Sequence, residues 1–123
     1  MKLVTNELLK KAVWGEQDKA PEEIVLYAKF FHPSMAWYWF VSEVQAISGT
    51  KDKPHYEFFG WVHGFEPEWG YFSSSDFDEL ESQTRLPMER DLYFDPIKFG
   101  DLGNEYKGRE AYKQRREGNE WIR

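Results

Sequence analysis

The sequence contains no cysteine and only three histidines, which limits the chemistry that the chain can support. Without cysteine, disulfide frameworks, thiolate metal sites and cysteine nucleophiles are excluded. No apolar run approaches the roughly 20 residues that a membrane-spanning helix needs, and the opening MKLVTNELLKK turns amphipathic too early for a secretion signal. We therefore expect a cytoplasmic protein with no membrane association and no bound cofactor.

Aromatic residues, by contrast, make up 19% of the chain. Flat rings suit the half-buried surface of a pleated sheet, so this composition favours strands over helices. A chain of 123 residues is about one domain in length and can bury a hydrophobic core without disulfides or metals.

The densest aromatic stretch lies at residues 58–72, FFGWVHGFEPEWGYF, with seven aromatic residues and three glycines. Both ends of the stretch alternate with the period of two of a pleated strand, while Glu66, Pro67 and Glu68 interrupt the pattern. The pattern predicts two strands joined by a tight turn at Pro67. Gly60, inside the first strand, indicates a bulge or the close approach of another chain segment.

Two helices are predicted from capping residues and apolar spacing. The first spans residues 5–14, with Thr5 as its cap. The second follows the aromatic hairpin and is short and strongly acidic, with Ser75 and Asp78 in a capping-box pattern.

Further strands are predicted at residues 24–31 and 37–44 and, as an edge strand, at residues 92–94. The strand at 37–44 is apolar on both faces, so it is either central and covered on both sides or presents rings to a partner. Residues 46–54 form the least constrained loop. The predicted fold class is α+β, a single antiparallel meander sheet of four to five strands with the N-terminal helix and the short acidic helix packed on it.

The predicted domain organisation is a single α+β domain over residues 1–103, followed by a charged C-terminal extension over residues 104–123. Glu105 and Arg109 have the i,i+4 spacing that supports a helix in this extension. Because only Tyr106 and Tyr112 offer apolar surface for docking, the extension is either helical or disordered.

Charge is distributed unevenly along the chain. Residues 57–95 carry ten acids and two bases, a net charge of −8, whereas residues 104–123 carry six bases and four acids, a net charge of +2. An acidic body repels phosphate at long range, while a basic tail can still contact it.

Two strings, G-F-E-P-E-x-G-Y-F at residues 64–72 and L-P-x-E-R-D-L-Y-F at residues 86–94, are long and unusual in composition. Together with KFFHP at residues 29–33 and WYWFVSE at residues 37–43, they resemble DUF2958, a family of small bacterial proteins of unknown function. The resemblance covers about residues 3–102, and the charged extension departs from the family pattern. It implies genes on plasmids, integrative elements and phages, near antirestriction and replication genes, with no established activity or cofactor.

The sharpest candidate site is the pair Glu66 and Glu68, which flank a rigid proline. These carboxylates can accept hydrogen bonds from an arginine of a partner or bind a metal, or they can simply make a hairpin tip soluble. We place them in a predicted acidic and aromatic surface for a protein partner, with the members Glu66, Glu68, Trp69, Asp76, Asp78, Glu79 and Glu81.

Glu89, Arg90 and Asp91 form a second candidate, an ion-pair clamp that is either structural or functional. His63 is a possible general base beside Glu66 or Glu68. However, the three histidines form no recognised catalytic or metal-binding motif, and a sheet histidine with a satisfied hydrogen bond is the favoured interpretation. We therefore predict no catalytic residue and no metal ligand.

Nucleic-acid binding is an alternative, because rings on a sheet can stack bases. The rings are those of Trp37, Trp39, Trp61, Trp69 and Tyr71, and the basic residues of the tail are Lys107, Arg109, Lys113, Arg115 and Arg116. Few basic residues lie near the aromatic strands, so the surrounding carboxylates would repel the phosphates of a nucleic acid bound there.

Three functions follow, in decreasing order of support. The first is a non-enzymatic protein-binding module of mobile genetic elements that modulates a host or defence protein, in the manner of anti-restriction or anti-CRISPR proteins, through an acidic and aromatic surface. The second is a nucleic-acid accessory protein that uses the basic tail and the sheet aromatics. The third is a small metal-binding or hydrolytic enzyme, which requires His63, Glu66, Glu68 and Asp91 to converge on one cleft.

Overall fold

A computed structural model describes residues 2–107, 115–117 and 120–122 of the chain. Its centre is a five-stranded sheet in the spatial order β5-β4-β3-β2-β6, in which all neighbours are antiparallel. The strands are β2 Ala28–Phe31, β3 Tyr38–Gly49, β4 Pro54–His63, β5 Glu68–Ser73 and β6 Glu89–Arg90. The α+β class and the antiparallel sheet are thus confirmed.

The meander order holds for β2 to β5, whereas β6 returns after a helix to pair with β2. The prediction of a single sheet is wrong, because β1 (Val25–Leu26) and β7 (Ile97–Lys98) form a separate two-stranded sheet. The buried side chain of Gln17 separates β1 from β3. Its amide nitrogen donates to the carbonyl oxygens of Val25 at 2.8 Å and Ser42 at 2.9 Å, so the predicted strand at 24–31 divides into β1 and β2.

The five-stranded sheet has an apolar core on each face. One core contains Phe30, Trp39 and Phe58 from the sheet, with Leu8 and Phe77 from the two main helices. The other contains Phe40, Phe59, Trp61 and Trp69. Ile24, Leu26, Phe99 and Leu102 cover this second face. Of the two alternatives predicted for the strand at 37–44, coverage on both sides is the one observed.

Helix α1, Asn6–Lys11, begins as predicted at Thr5, whose hydroxyl oxygen accepts from the Leu8 N–H at 3.1 Å. It ends three residues earlier than predicted, because the chain then joins the sheet. The Ala12 carbonyl accepts from the Val44 N–H at 2.9 Å, and Val13 forms a parallel bridge to Val44.

Helix α2, Ser74–Thr84, has its capping box two residues earlier than predicted, at Ser73 and Asp76 rather than Ser75 and Asp78. The Ser73 hydroxyl accepts from the Asp76 N–H at 3.3 Å, and the Asp76 carboxylate accepts from the Ser73 N–H at 2.9 Å. The reason is that β5 passes into α2 without a loop, so the last strand residue acts as the cap.

Two other boundaries differ from the prediction. The loop predicted at 46–54 is shorter, because β3 extends to Gly49 and β4 starts at Pro54. The edge strand is Glu89–Arg90 rather than residues 92–94. Asp91 ends it by forming a turn, in which its side chain accepts from the Tyr93 N–H at 2.9 Å.

The start of the C-terminal extension forms a short helix, α3, at Asn104–Lys107. Two further strands, β8 (Arg115–Glu117) and β9 (Glu120–Ile122), pair with each other. Arg109 of the predicted Glu105 to Arg109 pair lies outside the described residues, and the division of the chain at residue 103 stays a prediction. Among the described residues, no helix combines the length and apolar character that crossing a membrane requires.

Candidate functional site

The solvent-exposed side of α2 carries four carboxylates. Phe77 is buried and Leu80 half-buried, whereas four acids of the predicted surface are exposed to solvent. The helix contains no basic residue. The structure thus brings these four together on one element: Asp76, Asp78, Glu79 and Glu81.

Among the described residues, one ion pair lies on this face, and its geometry is weak. Lys53 Nζ lies 3.9 Å from the Asp78 carboxylate, and both side chains are largely exposed. Such a pair contributes at most about 1 kcal/mol. The face therefore remains strongly negative.

The other two acids of the predicted surface lie outside α2: Glu66 is in the turn between β4 and β5, and Glu68 is the first residue of β5. Glu66 is exposed and Glu68 is half-buried. Next to them Phe65 is 92% exposed, with its ring 5.1 Å from that of Trp37 in an edge-to-face contact. The strand register places this turn and the connection from residue 32 to 37 at the same end of the sheet.

The C-terminal end of α2 reaches that same end of the sheet. The Thr84 hydroxyl lies 3.0 Å from Nε2 of His32, which directly follows β2. His32 is 1% exposed and also donates from Nε2 to the Leu86 carbonyl at 2.8 Å. The acidic helix is thus tied to the end of the sheet that presents Phe65.

Trp69 is wrongly placed in the predicted surface. It is 8% exposed, and its ring lies 5.4 Å from that of Trp61 and 4.8 Å from that of Phe99. Alternation along β5 directs it into the second core, and the exposed ring of this strand is Tyr71 instead.

Among the described residues, the five rings considered for base stacking form no open platform, because elements pack on both faces of the sheet and Tyr71 alone of the five is exposed. Trp39, Trp61 and Trp69 are buried and Trp37 is half-buried. The aromatic richness of the chain is therefore explained mainly by its two cores.

The basic tail is only partly within the described structure. Lys107 is 5% exposed, and its ammonium group donates to the Gly100 carbonyl at 2.8 Å, so it faces the protein. Arg115 and Arg116 lie on β8, whose side chains are not described. Arg109 and Lys113 lie outside the described residues.

The predicted clamp has a cation partner that the sequence analysis missed. Lys29 Nζ lies 3.7 Å from the Asp91 carboxylate, and the Asp91 N–H donates to the Lys29 carbonyl at 2.9 Å. Glu89 and Arg90 are both half-buried on β6. The strand pattern indicates that Lys29 lies on a face of the sheet. It cannot indicate the ion pair with Asp91, because Asp91 lies 62 residues away along the chain.

Lys29 also contacts two tyrosines. Its Nζ is 4.6 Å from the ring centre of Tyr38 and 4.7 Å from that of Tyr106, and it donates to the Tyr106 hydroxyl at 3.2 Å. The Tyr106 carbonyl accepts from Nε1 of Trp61 at 2.8 Å and from Nδ1 of His63 at 3.0 Å. These contacts anchor α3 on the sheet, which is a structural role for His63.

The convergence required by the enzyme hypothesis is not observed in the described part of the chain. His63 is directed at Tyr106, and Asp91 at Lys29. Across residues 2–107 and the two short tail strands, no three histidine or carboxylate side chains are close enough to hold a metal ion.

A cleft of about 460 Å³ separates α1 from the segment at residues 90–96. Charges of both signs line it, with Glu7 and Lys11 on the helix and Arg90, Asp91 and Asp95 opposite. Glu7 accepts a hydrogen bond from Lys11 at 2.9 Å. This bond and the positive charge of Lys11 hold the pKa of Glu7 below its usual value.

We expect Lys11→Gln to raise the pKa of Glu7. Because the folded-state pKa is the lower one, this group favours folding above its unfolded-state pKa and loses that contribution as the pH falls through the folded-state pKa. An NMR titration of the Glu7 side chain measures the midpoint directly. Lys10→Gln is the control, and an unchanged midpoint in Lys11→Gln would contradict the assignment.

Residues 2–99 match the profile of a family described as a protein of unknown function, DUF2958. The chain belongs to this family. The match spans the helices α1 and α2 and the strands β1 to β7, and it confirms the resemblance carried by the motifs at residues 64–72 and 86–94. No curated protein and no solved structure matches the chain.

Proposed function

We propose that this member of the DUF2958 family is a non-enzymatic protein-binding module that recognises a basic surface of a partner through the outward face of α2. The main observation in support is that α2 has four exposed carboxylates and no basic residue. Complementary charge across an interface speeds association and selects the partner.

The charge pattern of α2 is not explained by the stability of the helix. Asp76 supports the first turn, where a negative charge is favourable. Glu79 and Glu81 lie beyond that turn, and Asp76 with Glu79 and Asp78 with Glu81 form like-charged pairs at i,i+3. Such pairs destabilise a helix by about 0.2–0.5 kcal/mol each, so an interaction with a cationic partner accounts for them better than stability does.

An apolar anchor lies at the end of the sheet that α2 reaches. Phe65 is 92% exposed beside Trp37, and interfaces commonly combine an aromatic anchor with a polar rim. A partner that contacts the C-terminal end of α2 is therefore positioned to cover Phe65 as well.

The setting of the proposal is a mobile genetic element, as the family resemblance implies. A host or defence protein that binds nucleic acid presents a basic groove, and a row of carboxylates is complementary to such a groove. The proposed role is occupation of that groove, without chemistry on a substrate.

The test is affinity capture from nuclease-treated host lysate with the wild-type chain and the triple variant Asp78→Lys, Glu79→Lys, Glu81→Lys. We expect a nuclease-resistant protein partner whose recovery weakens with added salt and falls at least about tenfold in the variant. Lysines beyond the first turn suit the helix dipole, so the variant keeps its fold.

The matched control reverses three exposed acids outside α2, with Glu16→Lys, Glu22→Lys and Asp52→Lys. This variant changes the net charge equally and is expected to retain the partner. Equal loss in both variants, or full recovery in the α2 variant, would refute a specific role for α2. Loss of the partner on nuclease treatment would instead favour nucleic-acid binding.

A further inference from the structure

Glu43 is a buried carboxylate that the function proposed for α2 leaves unexplained. It lies on β3, where the register with β4 shifts between Val41 and Glu43. Ser42 is the extra residue of this β-bulge, and its hydroxyl donates to the Phe59 carbonyl at 2.8 Å. Glu43 then pairs with Phe59, and it is only 8% exposed.

The Glu43 carboxylate has one hydrogen-bond donor among the described residues. The Gly15 N–H donates to one of its oxygens, and no described lysine or arginine forms an ion pair with it. Gly15 has φ = 82°, a left-handed conformation that favours glycine. A buried carboxylate without a cation is unfavourable, so it requires a reason.

This carboxylate lines a cleft of about 210 Å³. Aromatic rings form its walls: the Tyr71 ring lies 4.9 Å from that of Phe59 and 5.9 Å from that of Trp14. Tyr71 is 67% exposed, so the rim is accessible. The remaining lining residues are Gly15, Gln17 and Asp18.

The combination of a recessed carboxylate and tilted aromatic faces has a definite chemical preference. Hard divalent cations need several oxygen ligands, which these walls do not supply. An ammonium ion is compact and strongly hydrated, whereas a guanidinium group is planar, weakly hydrated and stacks on aromatic rings while donating to a carboxylate.

We propose that this cleft binds the guanidinium group of an arginine side chain, which donates to Glu43 and stacks on the exposed ring of Tyr71 at the rim of the cleft. The cleft lies on the sheet face opposite α2, since Phe59 belongs to the second core and Phe77 of α2 to the first. The site is therefore separate from the surface proposed for the basic partner.

The test is a ¹H–¹⁵N NMR titration of the full chain with N-acetyl-arginine amide and, in parallel, with N-acetyl-citrulline amide. Citrulline has nearly the same shape without the charge. We expect saturable shifts of the Gly15 amide and the Trp14 indole N–H with the arginine compound, and at least about tenfold weaker binding of the citrulline compound.

Two variants test the residues. Glu43→Gln keeps an acceptor for the Gly15 N–H and is expected to weaken arginine binding at least about tenfold. Tyr71→Ala, at an exposed position, is expected to weaken it about threefold to tenfold, and it provides the test if Glu43→Gln does not fold. Glu16→Gln, at the exposed neighbour of Gly15, is the control and should bind normally.

Three results would overturn the proposal: no saturable shift at Gly15 and Trp14, equal binding of citrulline, or an affinity that neither Glu43→Gln nor Tyr71→Ala changes. The triple variant of α2 is expected to bind arginine amide like the wild type. A failed arginine titration and a failed capture experiment are thus independent outcomes.

Discussion

Gly60→Ala is expected to prevent folding or to lower the free energy of unfolding by at least about 4 kcal/mol. A Cβ at this position would lie 1.7 Å from the Phe40 carbonyl oxygen, which belongs to the neighbouring strand β3. Because the obstacle is backbone at the centre of the sheet, no side-chain rotation relieves the contact. The strands would have to separate, and the register shift that follows Val41 would be lost.

The chain contains a matched control for this substitution. Gly70 pairs directly with Gly60 across β4 and β5, but a Cβ at Gly70 has no heavy atom within 4 Å. Gly70→Ala is therefore expected to change the free energy of unfolding by about 1 kcal/mol or less. Urea unfolding followed by circular dichroism measures both, and similar losses in the two variants would contradict the role of close strand approach at Gly60.

His32→Ala is expected to cost about 2–4 kcal/mol of folding free energy. Nε2 of His32 donates to the Leu86 carbonyl, and Nδ1 accepts from the Ser34 N–H at 3.1 Å. Alanine would remove both hydrogen bonds and create a cavity at a residue that is 1% exposed. The end of α2 would lose its connection to the sheet.

His55→Ala is the comparison for His32→Ala. His55 is half-buried near the start of β4, and its contact is a longer one, 3.4 Å from Nδ1 to the Ser48 hydroxyl. We expect a cost of about 0.5 kcal/mol or less, because this contact is long and lies at the surface. Thermal or urea unfolding compares the two, and an equal cost would show that the buried hydrogen bonds of His32 contribute little.

These two expectations bear on the proposed sites in different ways. Gly60 maintains the strand register that directs Glu43 to the second face, whereas His32 fixes the end of the acidic helix. Loss of arginine binding in a folded variant of His32 is therefore not expected, whereas the partner binding proposed for α2 is expected to weaken.

The sequence predicted the acidic residues of the candidate surface, but it did not predict which aromatic residues are exposed beside them. The acids of residues 76–81 were identified from their density along the chain, and the exposure of a charged helix face follows from the cost of burying charge. Trp69 was assigned to the wrong environment, because period-two alternation does not say which positions along one strand face are covered. Trp69 and Tyr71 lie on the same face of β5, but Trp69 packs against Phe99 whereas Tyr71 is exposed. Glu43 was recognised only as part of a family motif.

The sequence alone determined the local features: the family, the turn at Pro67, the cap at Thr5 and the presence of an acidic helix after the hairpin. Each depends on residues within about four positions of one another or on a contiguous motif. The tertiary structure alone decided the contacts between distant segments. Examples are the pairing of β6 with β2, the hydrogen bond from Gly15 to Glu43 across 28 residues and the contact of Lys29 with Tyr106 across 77 residues. These contacts depend on how the whole chain packs around the two cores, and no local sequence pattern indicates them.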